Sequence, residues 1–178
     1  MTHTLGRRGR KRLVAKDESF DIVSQVDMQE VDNAVQQADR QIAQRFDLKD
    51  TKAEVTLDRH AATITVKAPS DFVARQVTDL LSSAIVKRGI DLKALSWGPP
   101  EAASGGWIRS SATIVNGIED TLAKRINKDI RDEKFKVKIQ IEGDKLRVFS
   151  PSRDELQRVI TFVKSKDYGI PLQFTNRR

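Results

Sequence analysis

Basic and apolar residues alternate in the C-terminal half of the chain, between residues 134 and 149. Such alternation has the period of a β-strand, whose successive side chains point to opposite faces of a sheet. If the apolar set faces a core, then Lys136, Lys138, Lys145 and Arg147 lie together on the exposed face. Like charges on neighbouring strands repel unless an anion joins them. The pattern therefore predicts a phosphate-binding surface, although exposed lysines also serve simply to keep a strand soluble.

Three further residues complete the candidate nucleotide-binding set. Phe149 belongs to the same face and offers a ring on which a base can stack, or it is an exposed aromatic without a ligand. Gly117 precedes a helix, where its backbone N–H can meet a phosphate, but a need for an unusual backbone conformation explains the same glycine. Lys124 follows on that helix, whose basic residues are spread around it and are also typical of a solvated surface.

The first sixteen residues are a second basic feature, with six basic residues and no acid. Residues 17–106 carry a net charge of −5 and residues 107–178 one of +6, within a total of +7. We expect residues 1–16 to form a disordered arm that contacts RNA through its positive charges. An upstream translation start explains the segment equally well. The predicted RNA contacts are Arg7, Arg8, Arg10, Lys11 and Arg12.

The inventory of reactive side chains argues against catalysis. The chain has no cysteine and two histidines, His3 near the N-terminus and His60 in a predicted turn, so a hydroxyl nucleophile has no nearby base. Neither a phosphate-binding glycine loop nor a calcium-loop spacing occurs. We expect a non-catalytic protein that needs no metal and no other cofactor.

Hydropathy predicts the location of the protein. No apolar run approaches the roughly 20 residues that a membrane-spanning helix needs. The N-terminal charges are not followed by the apolar block of a signal peptide. We therefore expect a cytoplasmic protein without a membrane partner.

The elements that position these residues follow from apolar periodicity and helix caps. Each half of the chain reads strand-helix-strand-strand-helix-strand, the ferredoxin-like order. We predict a duplicated α+β protein with ferredoxin-like domains at residues 17–98 and 107–178, each a four-stranded antiparallel sheet with two helices on one face. Residues 99–106 are predicted to be a linker without secondary structure. The predicted strands cover residues 19–24, 55–57, 64–68, 92–97, 107–115, 135–141, 145–149 and 172–175.

Four capping residues mark the predicted helix starts: Asp27, Ser70, Asn116 and Ser152. The helical period then places Phe46 in the apolar stripe of the first helix and Phe72 in that of the second.

Several strings resemble the YajQ-like nucleotide-binding proteins, over residues 19–176. They are Ser19-Phe20-Asp21-Ile22-Val23-Ser24, Arg45-Phe46-Asp47, Lys87-Arg88-Gly89-Ile90, Gly117-Ile118, Ala123-Lys124-Arg125-Ile126, residues 137–148, Arg153-Asp154-Glu155-Leu156-Gln157 and Gln173-Phe174-Thr175-Asn176. The resemblance implies two ferredoxin-like domains that exchange the strands at residues 19–25 and 107–115. It also implies a bacterial cytosolic protein that binds purine nucleotides and, in some members, cyclic di-GMP or RNA. Ser150-Pro151-Ser152 departs from the basic segment usual before Arg153.

These observations predict a regulatory protein that binds GTP, ATP, cyclic di-GMP or RNA through the basic sheet face. From another class, a structural adaptor that docks an acidic partner protein on the same face explains the charge pattern too. Binding to either partner weakens as salt rises, so co-purification of nuclease-sensitive material is the observation that separates the two hypotheses.

Overall fold

A computed structural model describes residues 17–178, which contain four α-helices and nine β-strands. The predicted basic arm, with Arg7, Arg8, Arg10, Lys11 and Arg12, lies outside the described residues. The strands are β1 Glu18–Val23, β2 Glu54–Asp58, β3 Thr63–Ala68, β4 Leu95–Trp97, β5 Glu101–Ala102, β6 Ile108–Ile114, β7 Lys138–Glu142, β8 Lys145–Ser150 and β9 Gln173–Thr175. The helices are α1 Met28–Gln44, α2 Asp71–Lys87, α3 Asp120–Asp132 and α4 Arg153–Lys164.

The first strand of the chain belongs to the sheet built from its C-terminal half. This C-terminal sheet has the order β7-β8-β1-β9, with every pairing antiparallel. β1 is a central strand, and Phe20 and Ile22 on its inner side are buried beside Val148 and Leu146. We call the C-terminal sheet together with α3 and α4 the C-terminal unit.

The second sheet receives its central strand from beyond the predicted linker. This N-terminal sheet has the order β2-β3-β6-β4, and β5 pairs with the edge of β6. Ala112 and Ile114 of β6 are buried in the same core as Ile64 and Val66 of β3. We call the N-terminal sheet together with α1 and α2 the N-terminal unit. Among the residues that the structure describes, its buried core draws only on those between β1 and α3 in the chain.

Helix starts follow three of the four predicted caps. Asp27 accepts hydrogen bonds from the backbone N–H groups of the first turn of α1, Ser70 does so in α2 and Ser152 in α4. The fourth prediction is wrong. Asn116 does not cap α3, which begins after Glu119 and has no side-chain cap. The chain between β6 and α3 instead bends through Gly117, whose φ of +92° is the left-handed region that favours glycine.

Two predicted core aromatics are exposed. α1 ends at Gln44 because Arg45 adopts extended backbone angles, and Phe46 beyond it is 89 % exposed. Phe72 lies in the first turn of α2, away from the buried stripe that runs from Ala74 to Ile85, and is 66 % exposed. The predicted linker also differs from expectation, since β5 pairs with β6 and a 3-10 turn follows at Ser104–Gly106.

The chain passes between the two units twice, after β1 and after β6, and the two connections touch. The backbone N–H of Gly117 donates to the carbonyl of Ser24 at 2.6 Å, and that of Ile118 donates to the carbonyl of Asp144 at 2.8 Å. A Cβ atom on Gly117 would lie 2.7 Å from Oδ2 of Asp144. The connection between β6 and α3 therefore needs a residue at position 117 that has no side chain and can adopt a positive φ.

Replacing Gly117 by alanine is expected to destabilise the protein by roughly 2–4 kcal/mol, the sum of a positive-φ penalty of about 1–2 kcal/mol and the displacement of Asp144. The measurement is urea unfolding at constant m-value. Gly143→Ala is the matched control, because Gly143 also has a positive φ of +60° but its added Cβ would meet nothing within 4 Å. Equal losses in the two variants would show that the contact with Asp144 contributes nothing.

Candidate nucleotide-binding face

Three of the four predicted basic residues, Lys138, Lys145 and Arg147, lie on the side of the C-terminal sheet opposite α3 and α4. Along β8 the side chains alternate, with Leu146 and Val148 buried against α3 and α4 and Lys145, Arg147 and Phe149 on the other side. We call this outer surface of β7, β8, β1 and β9 the basic face. The basic residues of β8 are therefore separated from its apolar core residues, as the sequence predicts.

The first strand of the predicted hairpin is shorter than expected. β7 begins at Lys138, whose side chain is exposed and faces the β8 residue Phe149 across the sheet. Lys136 is exposed as well, but it lies in an irregular segment before the strand. Its N–H donates to a carboxylate oxygen of Glu155 at 2.9 Å, and its carbonyl accepts a hydrogen bond from Ser150 Oγ at 3.0 Å. The backbone of this segment is thereby fixed to the start of α4.

An acidic residue that the sequence analysis did not select lies at the centre of the basic face. Asp21 of β1 is paired with Arg147 in the sheet, and its side chain is 4 % exposed. Its Oδ1 accepts a hydrogen bond from Arg147 Nε at 2.8 Å, and its Oδ2 accepts from Lys145 Nζ at 3.2 Å. The anion that relieves the repulsion between Lys145 and Arg147 is therefore a carboxylate of the protein itself.

Asn176 supplies a further donor to this carboxylate through a bulge at the end of β9. Asp21 is paired with Thr175, whereas Ser19 and Arg178 exchange backbone hydrogen bonds of 2.9 Å, so the β9 side has one extra residue between them. Asn176 is that residue and has a φ of +54°. Its Nδ2 donates to Oδ2 of Asp21 at 3.1 Å.

These contacts hold Asp21 in its charged form. The hydrogen bond from Arg147 is the main cause that lowers the pKa of Asp21 to about 2, against the opposing effect of burial. The same pairing raises the pKa of Arg147 above its usual value. Arg147 also lies 3.7 Å from a carboxylate oxygen of Glu142. The face therefore combines oriented, partly neutralised cations with Lys138, which has no carboxylate within ion-pair distance among the described residues.

Phe149 is the aromatic side chain placed among these charges. It lies in the sheet between Ser19 of β1 and Lys138 of β7, is half-buried, and is not part of the apolar core. Ser19 is a small residue and is itself buried. The arrangement can place a flat aromatic group on Phe149, with Lys138 beside it across the sheet and Arg147 two residues away along β8.

The two remaining candidates lie elsewhere. The N–H of Gly117 is donated to Ser24, so a phosphate there would have to replace that bond. Lys124 belongs to α3 on the opposite side of the sheet, is 69 % exposed, and pairs with Asp120 at 2.9 Å. The structure does not bring either residue to the basic face, and their contact with a nucleotide stays a prediction.

Neither metal ligation nor a membrane span is indicated. Residues 17–178 contain no cluster of three or more histidine or acidic side chains arranged to hold a metal ion. No helix in this part of the chain has the length and hydrophobicity to cross a bilayer.

Comparison with known proteins agrees with the resemblance noted in the sequence. The family model described as nucleotide-binding protein YajQ-like matches residues 18–178. A nucleotide-binding protein of Koribacter versatilis is 46 % identical over 162 residues, which are 91 % of this chain and 98 % of the relative. One from Desulforamulus reducens is 47 % identical, with 93 % of this chain and 99 % of the relative covered. One from Geotalea uraniireducens is 48 % identical, with coverages of 90 % and 98 %. The chain belongs to the YajQ-like family of nucleotide-binding proteins.

Proposed function

We propose that this protein binds a nucleotide or RNA non-covalently through the basic face, as a regulatory protein without catalytic activity. GTP, ATP, cyclic di-GMP and RNA are the candidate ligands. The relatives are named nucleotide-binding proteins and not enzymes, which supports the proposal. The observation that carries it is the arrangement of Phe149 beside Arg147 and Lys138 on the sheet surface opposite α3 and α4.

Each of these residues has a distinct role in the proposed complex. A base stacks on Phe149, an interaction worth about 1–3 kcal/mol and tolerant of base identity. Lys138 contacts phosphate oxygens as a mobile point charge, whereas Arg147 and Lys145 offer donors that Asp21 holds in place. Lys136, two residues before Lys138, would extend the contact along a longer ligand. The predicted arm residues would add phosphate contacts when the ligand is RNA.

Two substitutions separate stacking from charge. Phe149→Ala is expected to weaken binding roughly 5- to 150-fold, the loss of one stacking contact, with little change in salt dependence. Lys138→Ala is expected to lower the slope of log affinity against log salt by about 0.7 for a single-stranded ligand. Fluorescence anisotropy with labelled cyclic di-GMP, GTP, ATP and a short RNA measures both quantities.

Lys128→Ala is the matched control for this experiment, because Lys128 is an exposed lysine of the same unit that pairs with Asp132 on α3. Wild-type affinity and salt slope in both face variants would contradict the proposal. Binding of an acidic protein but of none of the four labelled ligands would favour the structural adaptor instead.

We also propose that the two units are copies of one ferredoxin-like module and that they exchange their first strands. The protein works in the cytoplasm. The position of β1 in the C-terminal sheet and of β6 in the N-terminal sheet supports the exchange. The repeated order of strands and helices supports the duplication.

A further inference from the structure

A small cleft lies where the two units meet, on neither of the open sheet faces. It has a volume of about 160 Å³ and is lined from the N-terminal unit by Asp91 and Lys93 and from the C-terminal unit by Lys164, Lys166, Tyr168 and Phe174. A neighbouring cleft of about 400 Å³ shares Asp91 with it and extends along the junction. Three lysines from the two units, together with Asp91, therefore line one small space.

Two of these lysines have no acidic partner. Lys164 Nζ lies 5.6 Å from the centre of the Phe174 ring, and Lys166 Nζ lies 5.2 Å from that of Phe162. Neither makes an ion pair with a carboxylate in the described part of the chain. A cation held over an aromatic face keeps donors free for an anion, because the ring occupies only one side of the ammonium group.

The third lysine is held by a carboxylate of the opposite unit. Lys93 Nζ lies 3.2 Å from Oδ1 of Asp167, the one side-chain ion pair that joins the two units within residues 17–178. Both side chains are at least half exposed, so the pair is weak and a competing anion can replace it. The turn that carries Asp167 is anchored next to it, because the buried Tyr168 donates its hydroxyl to Asp129 at 2.9 Å.

We propose that this cleft is a second anion site, which binds a phosphate group and thereby bridges the two units. Its volume is below the 300–1,000 Å³ typical of pockets that enclose a whole small-molecule ligand, which favours a phosphate group over an entire nucleotide. A nucleoside attached to that phosphate would extend into the neighbouring cleft. The phosphate takes the place of Asp167 at Lys93 and adds contacts to Lys164 and Lys166, so both units hold one ligand.

Inorganic pyrophosphate is the probe, and amide chemical shifts report where it binds. Titration is expected to shift the backbone amides of Lys93 and of Gly169, whose N–H donates to Oδ1 of Asp167 at 2.9 Å, in a saturable way. In the variant with Lys164→Ala and Lys166→Ala, the dissociation constant read from these shifts is expected to rise at least tenfold. The matched control carries Lys87→Ala and Lys128→Ala, which also removes two exposed lysines and should leave the constant within twofold of wild type.

Unchanged affinity in the cleft variant, or shifts confined to Lys138, Arg147 and Phe149, would overturn the proposal without affecting the proposed function of the basic face. If the double variant loses its dispersed spectrum, the single variants Lys164→Ala and Lys166→Ala provide the same comparison. A parallel titration with GDP distinguishes the source of the phosphate. Tighter binding of GDP together with shifts at Gly89 and Ile90 would show that a nucleotide supplies it, and binding of pyrophosphate alone would assign the free anion.

Discussion

Fragments 17–98 and 107–178, produced separately, are expected to be unfolded. The boundary between the two fragments follows the predicted order of elements along the chain, but each fragment lacks a central strand of its sheet. Fragment 17–98 contains β1 and lacks β6, which pairs with β3 over six residues and with β4 over three. Fragment 107–178 lacks β1, so β8 and β9 lose the strand between them.

The energetic reason is the size of the lost core relative to the stability of a domain. Burying one Phe or Ile side chain contributes about 1.5–3 kcal/mol, and β1 buries Phe20 and Ile22 completely. The exposed strand edges and lost backbone pairing add to this cost. A typical domain is stable by only about 5–15 kcal/mol, so these losses together approach the whole stability of a fragment.

Fragment 25–116 is the informative control. It contains all five strands of the N-terminal sheet with α1 and α2, and every residue of the N-terminal core lies within it. We expect this fragment to unfold cooperatively, with a dispersed amide spectrum, although it crosses the predicted domain boundary. Cooperative unfolding of fragment 17–98, or an unfolded fragment 25–116, would show that the strand pairing described above does not determine the folding units.

Asp21→Ala is expected to be among the most destabilising single substitutions in the protein. It leaves Arg147 and Lys145, which are 25 % and 32 % exposed, beside a cavity without their carboxylate. Breaking a buried ion pair by removing one partner costs about 3–5 kcal/mol, and the partial exposure of the two cations places the expected loss near the lower end of that range. Urea unfolding at pH 7 measures it.

The pH dependence gives an independent reading of the same interaction. The pKa of Asp21 is lowered to about 2 in the folded protein from an ordinary value of 3.8. The folded state therefore binds the proton less readily than the unfolded chain, and the charged carboxylate stabilises the fold above pH 4. This contribution, about 2–3 kcal/mol, is lost as the pH falls from about 4 to about 2. The difference in unfolding free energy between wild type and Asp21→Asn should shrink over that interval.

Asp47→Asn is the control, because Arg45 also lowers the pKa of Asp47 but the pair is exposed on the surface. Solvent screens an exposed ion pair, so this substitution should change the free energy of unfolding little. Equal effects at positions 21 and 47 would mean that the buried network at the centre of the basic face is not a special source of stability.

Local chemistry in the sequence determined the elements and the direction of their side chains. The alternation along β8 separates Arg147 from Val148 because the two-residue period of a strand needs no knowledge of its neighbours. Asp27 and Ser152 begin helices because a capping side chain bonds N–H groups only two or three residues away. The same local rules failed at Phe46, where an apolar residue at helical spacing lies beyond the end of α1.

The tertiary structure alone decided which strands meet. The alternation of residues in β1 does not indicate which strand it pairs with. In the structure β1 pairs with β8, more than 120 residues away, instead of with the strands of its own half. That pairing places Asp21 against Arg147 and turns an apparently unbalanced basic surface into an oriented network. The convergence of Lys93 with Lys164 and Lys166 likewise depends on how the two units meet. A one-dimensional pattern records the period of each strand and helix, whereas the choice of partner is fixed by the burial and hydrogen bonding of the whole chain.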